Sequence, residues 1–276
     1  MTSTLSHAGH RARREAHDRK ETLGRVGLVG RGFLYAVVAL LALQLALGAP
    51  DAEASPNGAL AWIGERPFGK FLLVALTAAL FALAAWRFLD AAFGDPVEGS
   101  ETSDRVRFAG KGAVYLALAV AALSTTIANW GGSTGGGSGA TDGSSQKKAT
   151  AVVLSWPMGQ WIVAGVGVAF IAYAAFMFKR HALDEKFLER LSNHSDAVSR
   201  FGRFGYGARS VVWAVIGYLL VQAAVTYNPD EAGGLSSALY ELAGSGWGRW
   251  VLALVALGLF AFGAFCVAEA RYRKAA

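Results

Sequence analysis

Six stretches of about twenty mostly apolar residues dominate this chain, at roughly Gly27 to Leu47, Phe68 to Leu89, Phe108 to Ala128, Gly159 to Lys179, Phe204 to Thr226 and Trp247 to Ala268. At a rise of about 1.5 Å per residue each can cross a hydrocarbon layer of about 30 Å. Each is too long and too weakly alternating for a barrel strand. A spanning segment must satisfy its own backbone amides, so the blocks read as helices of an all-α integral membrane protein.

The blocks repeat in pairs. Arg25 precedes Gly30-Arg31-Gly32, Arg105 precedes Gly110-Lys111-Gly112, and Arg200 precedes Gly205-Tyr206-Gly207, each at the mouth of an odd-numbered block. The even-numbered blocks open on Pro67-Phe68-Gly69, Pro157-Met158-Gly159 and Gly246-Trp247-Gly248. One two-helix unit is therefore written three times. The units are 25–98, 103–186 and 198–274, after a basic tail over 1–24. An even number of crossings gives every copy the same orientation, so six transmembrane helices are expected as three parallel two-helix repeats about a pseudo-threefold axis.

The net charge of +6 does not signal a nucleic-acid partner, because most of the 26 Lys and Arg fall in the tail, in the second and fourth connections and at the C-terminus. That asymmetry places both termini in the cytoplasm. The lipid bilayer is then the expected partner, with anionic lipid and other membrane proteins as further candidates and nucleic acid excluded. Six of the eight tryptophans, Trp62, Trp130, Trp156, Trp161, Trp247 and Trp250, fall at the opposite boundary, as an aromatic belt requires.

Local signals refine this picture. Gly24, Asp104 and Ser199 stand six residues before the first glycine of each pair and read as helix N-caps. Proline at the entry to the even helices suits a first turn, where its missing donor costs nothing. Segments such as Ala59 to Ile63 predict short interfacial helices. The Gly/Ser-rich connection over 131–147 reads as disordered, and the connection with Lys186, Glu189, Arg190 and His194 as an amphipathic continuation.

Function is harder to read. Gly30, Gly32, Gly110, Gly112, Gly205 and Gly207 point to close helix packing, not to a phosphate cradle, since no strand precedes them. Arg25, Arg105 and Arg200 are candidates for an anion or lipid-headgroup site, or for a ring of ion pairs with the aligned Asp90, Arg180 and Glu269. Arg209 joins them because it lies past the glycine pair, where the other copies carry Leu34 and Val114. Gln44, Thr77 and Ser124 are candidate lining for a cavity on the axis.

No carboxylate or histidine lies near the middle of a span, which lowers the expectation of proton-coupled transport. No nucleophile stands beside a base, and His7, His10, His17, His181 and His194 show no metal-ligand spacing. No catalytic residue, metal or cofactor is therefore expected, and Cys266, alone inside the last block, reads as packing. The leading expectation is a non-enzymatic accessory or scaffold component. A transporter or channel for a small molecule or lipid is the alternative, and a lipid-headgroup enzyme a weaker one.

The Gly-x-Gly mouths with Tyr35, Tyr115 and Ser210 three residues on, together with the Pro-x-Gly entries, resemble the bacterial family called domain of unknown function 1206. The likeness runs from about Arg25 to Arg273, and copy three departs from it at Tyr206, Ser210 and Gly246. The resemblance implies a six-span protein of the bacterial plasma (inner) membrane, and implies no particular substrate or reaction. Mitochondrial carriers also use three two-helix repeats, but the proline of their odd helices is missing here.

Overall fold

The computed structural model describes residues 2–95, 99–131, 143–184, 186–191, 195–244 and 247–272. Nine α-helices are described: α1 (Thr2–Ala46), α2 (Pro56–Gly64), α3 (Gly69–Phe93), α4 (Thr102–Gly131), α5 (Gly143–Leu154), α6 (Gly159–Met177), α7 (Asp196–Val225), α8 (Leu235–Gly244) and α9 (Gly248–Tyr272). Six segments are long and apolar enough to cross a membrane: Glu21–Ala46, Gly69–Phe93, Thr102–Ala128, Gly159–Leu183, Asp196–Val225 and Gly248–Tyr272. The three short helices α2, α5 and α8 each precede the second span of a repeat. His194, Gly246 and residues 132–142 lie outside the described residues, as do the side chains of the tail histidines. From Gly143 onward the stretch expected to be disordered is helix α5.

Several helix starts differ from the sequence reading. Gly24 is interior to α1, which already runs from Thr2, and Ser199 is interior to α7, whose N-cap is Ser195. Asp104 lies in the first turn of α4, where its carboxylate suits the helix dipole and takes a 2.9 Å ion pair from Arg107. The connection after α6 is not one amphipathic helix either. It continues as a π-helical turn, Phe178–Leu183, and then a 3-10 turn, Lys186–Arg190.

The entry motif works through the residue between proline and glycine. Phe68 and Met158 cap α3 and α6 in the left-handed region, at φ 64° and 65°. Gly69 N donates to Arg66 O at 2.8 Å and Gly159 N to Trp156 O at 2.9 Å, which closes a tight turn with proline at its first central position. The proline thus precedes the cap and is not in the first helical turn. Glycine must follow, because a Cβ at Gly69 or Gly159 would collide with the carbonyl of Ile63 or Val153 at the end of the preceding short helix.

Helix packing follows an ordered path. The second span of one repeat packs on the first span of the next, as α3 on α4, α6 on α7 and α9 on α1. Within repeats α1 packs on α3 and α7 on α9, whereas α4 and α6 share no extensive contact among the described residues. Small residues set these approaches, as expected where lipid tails remove the hydrophobic driving force between helices. A Cβ at Gly27 would lie 2.6 Å from Leu83 Cβ, and Gly30 faces Ala79. Gly32 and Gly263 oppose one another, each with its Cβ position 2.7 Å from the other's carbonyl oxygen, and Gly167 and Gly217 repeat this between α6 and α7. The main core joins α1, α2, α3, α4, α7, α8 and α9, with Leu41, Leu60, Leu73 and Leu239 among the fully buried side chains.

A candidate anion site where three repeats meet

Arg31, one residue and about 100° round the helix from Gly30, turns its side chain toward aromatic rings of α1, α4 and α9. Its guanidinium carbon lies 4.9 Å from the Phe262 ring centre on α9, 5.8 Å from Tyr35 on its own helix and 5.8 Å from Tyr115 on α4. From α7, the Arg209 guanidinium carbon lies 4.4 Å from the same Phe262 ring and 5.5 Å from Tyr35. Two cations therefore share one aromatic ring, inside segments long and apolar enough to cross a membrane.

Neither cation is neutralised. Among the described residues neither Arg31 nor Arg209 makes an ion pair or hydrogen bond, and Arg31 Nε is shut off from water without a partner. The aromatic faces contribute about 0.5–2 kcal/mol each. Both residues are half-buried, so each guanidinium gives up part of its hydration, a cost the rings offset only in part. The hydroxyls of Tyr35 and Tyr115 likewise have no protein hydrogen-bond partner among the described residues. Two planar, donor-rich guanidinia and two phenols form a cluster matched to a phosphate or carboxylate.

The wall behind this cluster is aromatic. Tyr206 stacks near Phe262 at 5.3 Å, Phe187 at 5.4 Å and the His181 ring at 4.5 Å, and Cys266 is fully buried beside them. Phe178 and His181 belong to the π-helical turn.

The other sequence candidates lie elsewhere. Arg25, Arg105 and Arg200 are all exposed, on α1, α4 and α7, and do not pair with Asp90, Arg180 or Glu269. Arg25 pairs with Glu21 one turn earlier, and Arg180 lies 5.7 Å from the Phe176 ring. Asp90 is buried and pairs with Arg87 at 3.2 Å, as their three-residue spacing predicts. The expected ring of ion pairs is thus replaced by local pairs, because the three arginines turn outward from the bundle.

Gln44, Thr77 and Ser124 do not line a common cavity. Gln44 Nε2 donates to Asp51 Oδ2 at 3.1 Å at the far end of α1, where Arg66 joins at the same distance. The amide of Gln44 and the guanidinium of Arg66 hold the Asp51 carboxyl below its ordinary value. Thr77 bridges to Thr126 Oγ1 at 3.2 Å between α3 and α4, and exposed Ser124 donates to its own helix at Ala121 O. Of the paired glycines, Gly30, Gly32 and Gly205 are closely packed and Gly112 lies 3.1 Å from Phe88. Gly207 meets only Phe178, at 3.8 Å, and a Cβ at Gly110 meets nothing within 4 Å.

Sequence reading singled out Arg209 but not Arg31. The signal was available: Arg31, Lys111 and Tyr206 are the variable centres of the three Gly-x-Gly units, and Arg31 lies inside the apolar block that starts at Gly27. What no spacing reveals is that Phe262 and Tyr115, from two other repeats, come to meet it.

Comparison with known proteins agrees with the repeat. The sequence profile named Domain of Unknown Function (DUF1206) matches residues 26–94, 106–180 and 204–273. The chain is 30% identical over 258 residues to an uncharacterized protein, YxxB, of Bacillus subtilis (strain 168), covering 91% of this chain and 90% of that one. No solved structure matches. With three profile matches spread over six long apolar helices, this chain belongs to the DUF1206 family.

Proposed function

We propose that this is a non-enzymatic polytopic membrane protein that binds a small anionic group, phosphate or carboxylate, at the Arg31 and Arg209 pair. The reading rests on one observation: two arginines share the Phe262 ring with no acid or hydrogen-bond acceptor on either, and Arg31 Nε is closed off from water. An anion between them would supply the missing counter-charge in a medium of low dielectric constant. The positive-inside pattern supports cytoplasmic termini in a bacterial plasma membrane, an orientation that would set the pair toward that side. The pseudo-threefold axis inferred from the repeat would run near it, which makes the transporter or lipid-handling class the stronger of the sequence-based alternatives.

The test is titration calorimetry on protein stripped of lipid in non-ionic detergent, with inorganic phosphate and short-chain phosphatidate as separate probes. R31Q and R209Q should each weaken binding by about tenfold or more, as losing a hydrogen bond to a charged group does. Binding of phosphate marks a soluble ligand, and binding of phosphatidate alone marks a lipid headgroup. Binding of neither, or unchanged binding in the double variant, overturns the reading.

An accessory role in a larger assembly draws on a separate feature. Only 22% of the most apolar window of the α6 span is buried, against 56% for α1 and α9, so α6 offers most of its surface to a neighbour. Native mass spectrometry from mild detergent should then retain a second membrane protein, and crosslinks should map to α6.

A further inference from the structure

On the opposite side of α1 from Arg31, a groove of about 850 Å³ runs between α3 and α9. Gly30 and Phe33 of α1 form its floor, Leu76 and Ala79 of α3 one wall, and Ala264 and Val267 of α9 the other. The small residues make the surface concave, and along the membrane-facing stretch every one of these side chains is apolar. Arg25 and Arg271, from the start of the α1 span and the end of α9, both line the groove and are its only charged residues. Both are exposed. Glu21 engages one nitrogen of Arg25, which leaves most of that guanidinium's donors open.

We infer that this groove seats one anionic phospholipid, its phosphate between Arg25 and Arg271 and an acyl chain along Gly30 and Phe33. From Arg25 to Phe33 the floor is about 12 Å long at the helical rise, and Leu72 extends the wall beyond it. The occupant follows from charge and medium. The groove lies within helices fit to span a bilayer, so lipid is what meets it, and two cations at its mouth select a negative headgroup. The chain contributes little to affinity, because acyl tails outside the groove are as apolar as its walls. Selectivity should therefore follow headgroup charge and not chain length. This site is separate from the interior pair and stands or falls independently of it.

The full-length protein in nanodiscs, with spin-labelled phosphatidylglycerol and phosphatidylcholine as probes, tests the inference. The wild type should hold the anionic probe at least about fivefold more strongly, the effect of roughly one arginine near an anionic lipid surface. R25Q/R271Q should erase that preference, and both positions are exposed, so no buried packing is disturbed. Ala75→Leu, on the exposed rim, should lower binding of both probes by filling the groove. R31Q/R209Q should leave the preference intact. A wild type without preference, a preference that survives R25Q/R271Q, or one erased only by R31Q/R209Q overturns the inference.

Discussion

Helices α1 and α4 carry the same Gly-x-Gly mouth and meet opposite surroundings. Around α1, Gly30 is closed by Ala79 of α3 and Gly32 by Gly263 of α9, so both flanks are filled. Around α4, Gly112 meets Phe88 of α3 but Gly110 faces open space, and no extensive contact with α6 closes the second flank. A motif of small residues permits close approach; only a partner of matching shape on the other side turns it into packing. The pivot of the bundle is therefore α1, while α4 packs on α3 and α2 and lacks an extensive contact with its repeat partner α6 among the described residues.

Substitutions that attack the two helices should separate them by size of effect. The largest loss is expected at the α3 anchor of α4. Arg87→Ala removes one ion-pair partner of Asp90, which is wholly buried, and should cost up to about 3–5 kcal/mol in a denaturation equilibrium. A loss below 1 kcal/mol would show that water reaches Asp90. Next come matched glycine changes. Gly32→Ala drives a Cβ into the Gly263 carbonyl and should cost about 1–3 kcal/mol, whereas Gly110→Ala should gain up to about 1 kcal/mol from helix propensity. Equal losses at the two sites would erase the contrast between the helices.

A smaller effect is expected from Thr77→Val, which removes the Thr126 bridge across α3 and α4. About 0.6 kcal/mol is typical of such bonds in membranes, read as a shift in the thermal midpoint. The smallest change concerns the far end of α1. The depressed Asp51 carboxyl stabilises the fold at pH values above its ordinary value of 3.8, and the contribution is lost as pH falls through the lower folded value. Asp51→Asn should flatten the dependence of the thermal midpoint on pH below about 4, near the reference value for aspartate. An unchanged slope would place the Gln44 and Arg66 contacts outside the folding equilibrium.

The spans were legible because an uninterrupted apolar run of the right length has few alternatives in lipid. The short helices before the second span of each repeat were visible for a similar reason, in segments such as Ala59 to Ile63. Helix starts were not: Gly24 reads as a cap by residue type, yet nothing at that point forces α1 to stop, and the helix continues through it. The entry turns were recognised by their proline and glycine, but the left-handed backbone at Phe68 and Met158 runs against the preference of those residue types, so sequence placed the proline one step too late. At the candidate site, Arg209 stood out by breaking the repeat. Arg31 was hidden by conforming to it, and the ring both arginines share, Phe262, lies more than fifty residues along the chain from Arg209.

Those left-handed caps have a consequence for how the molecule sits in its solvent. They turn Phe68 and Met158 outward, 78% and 72% exposed, at the level where Trp161, Trp247 and Trp250 are also exposed. Bulky side chains held at one depth resist both sinking and rising, so α3 and α6 are pinned vertically at that end. Mismatch with a thinner or thicker bilayer must then be absorbed at the opposite end, by tilt or by local deformation of the lipid. The Pro-x-Gly hairpins thus act as a depth gauge, and bilayer thickness becomes a variable felt mainly where Arg25 and Arg271 reside.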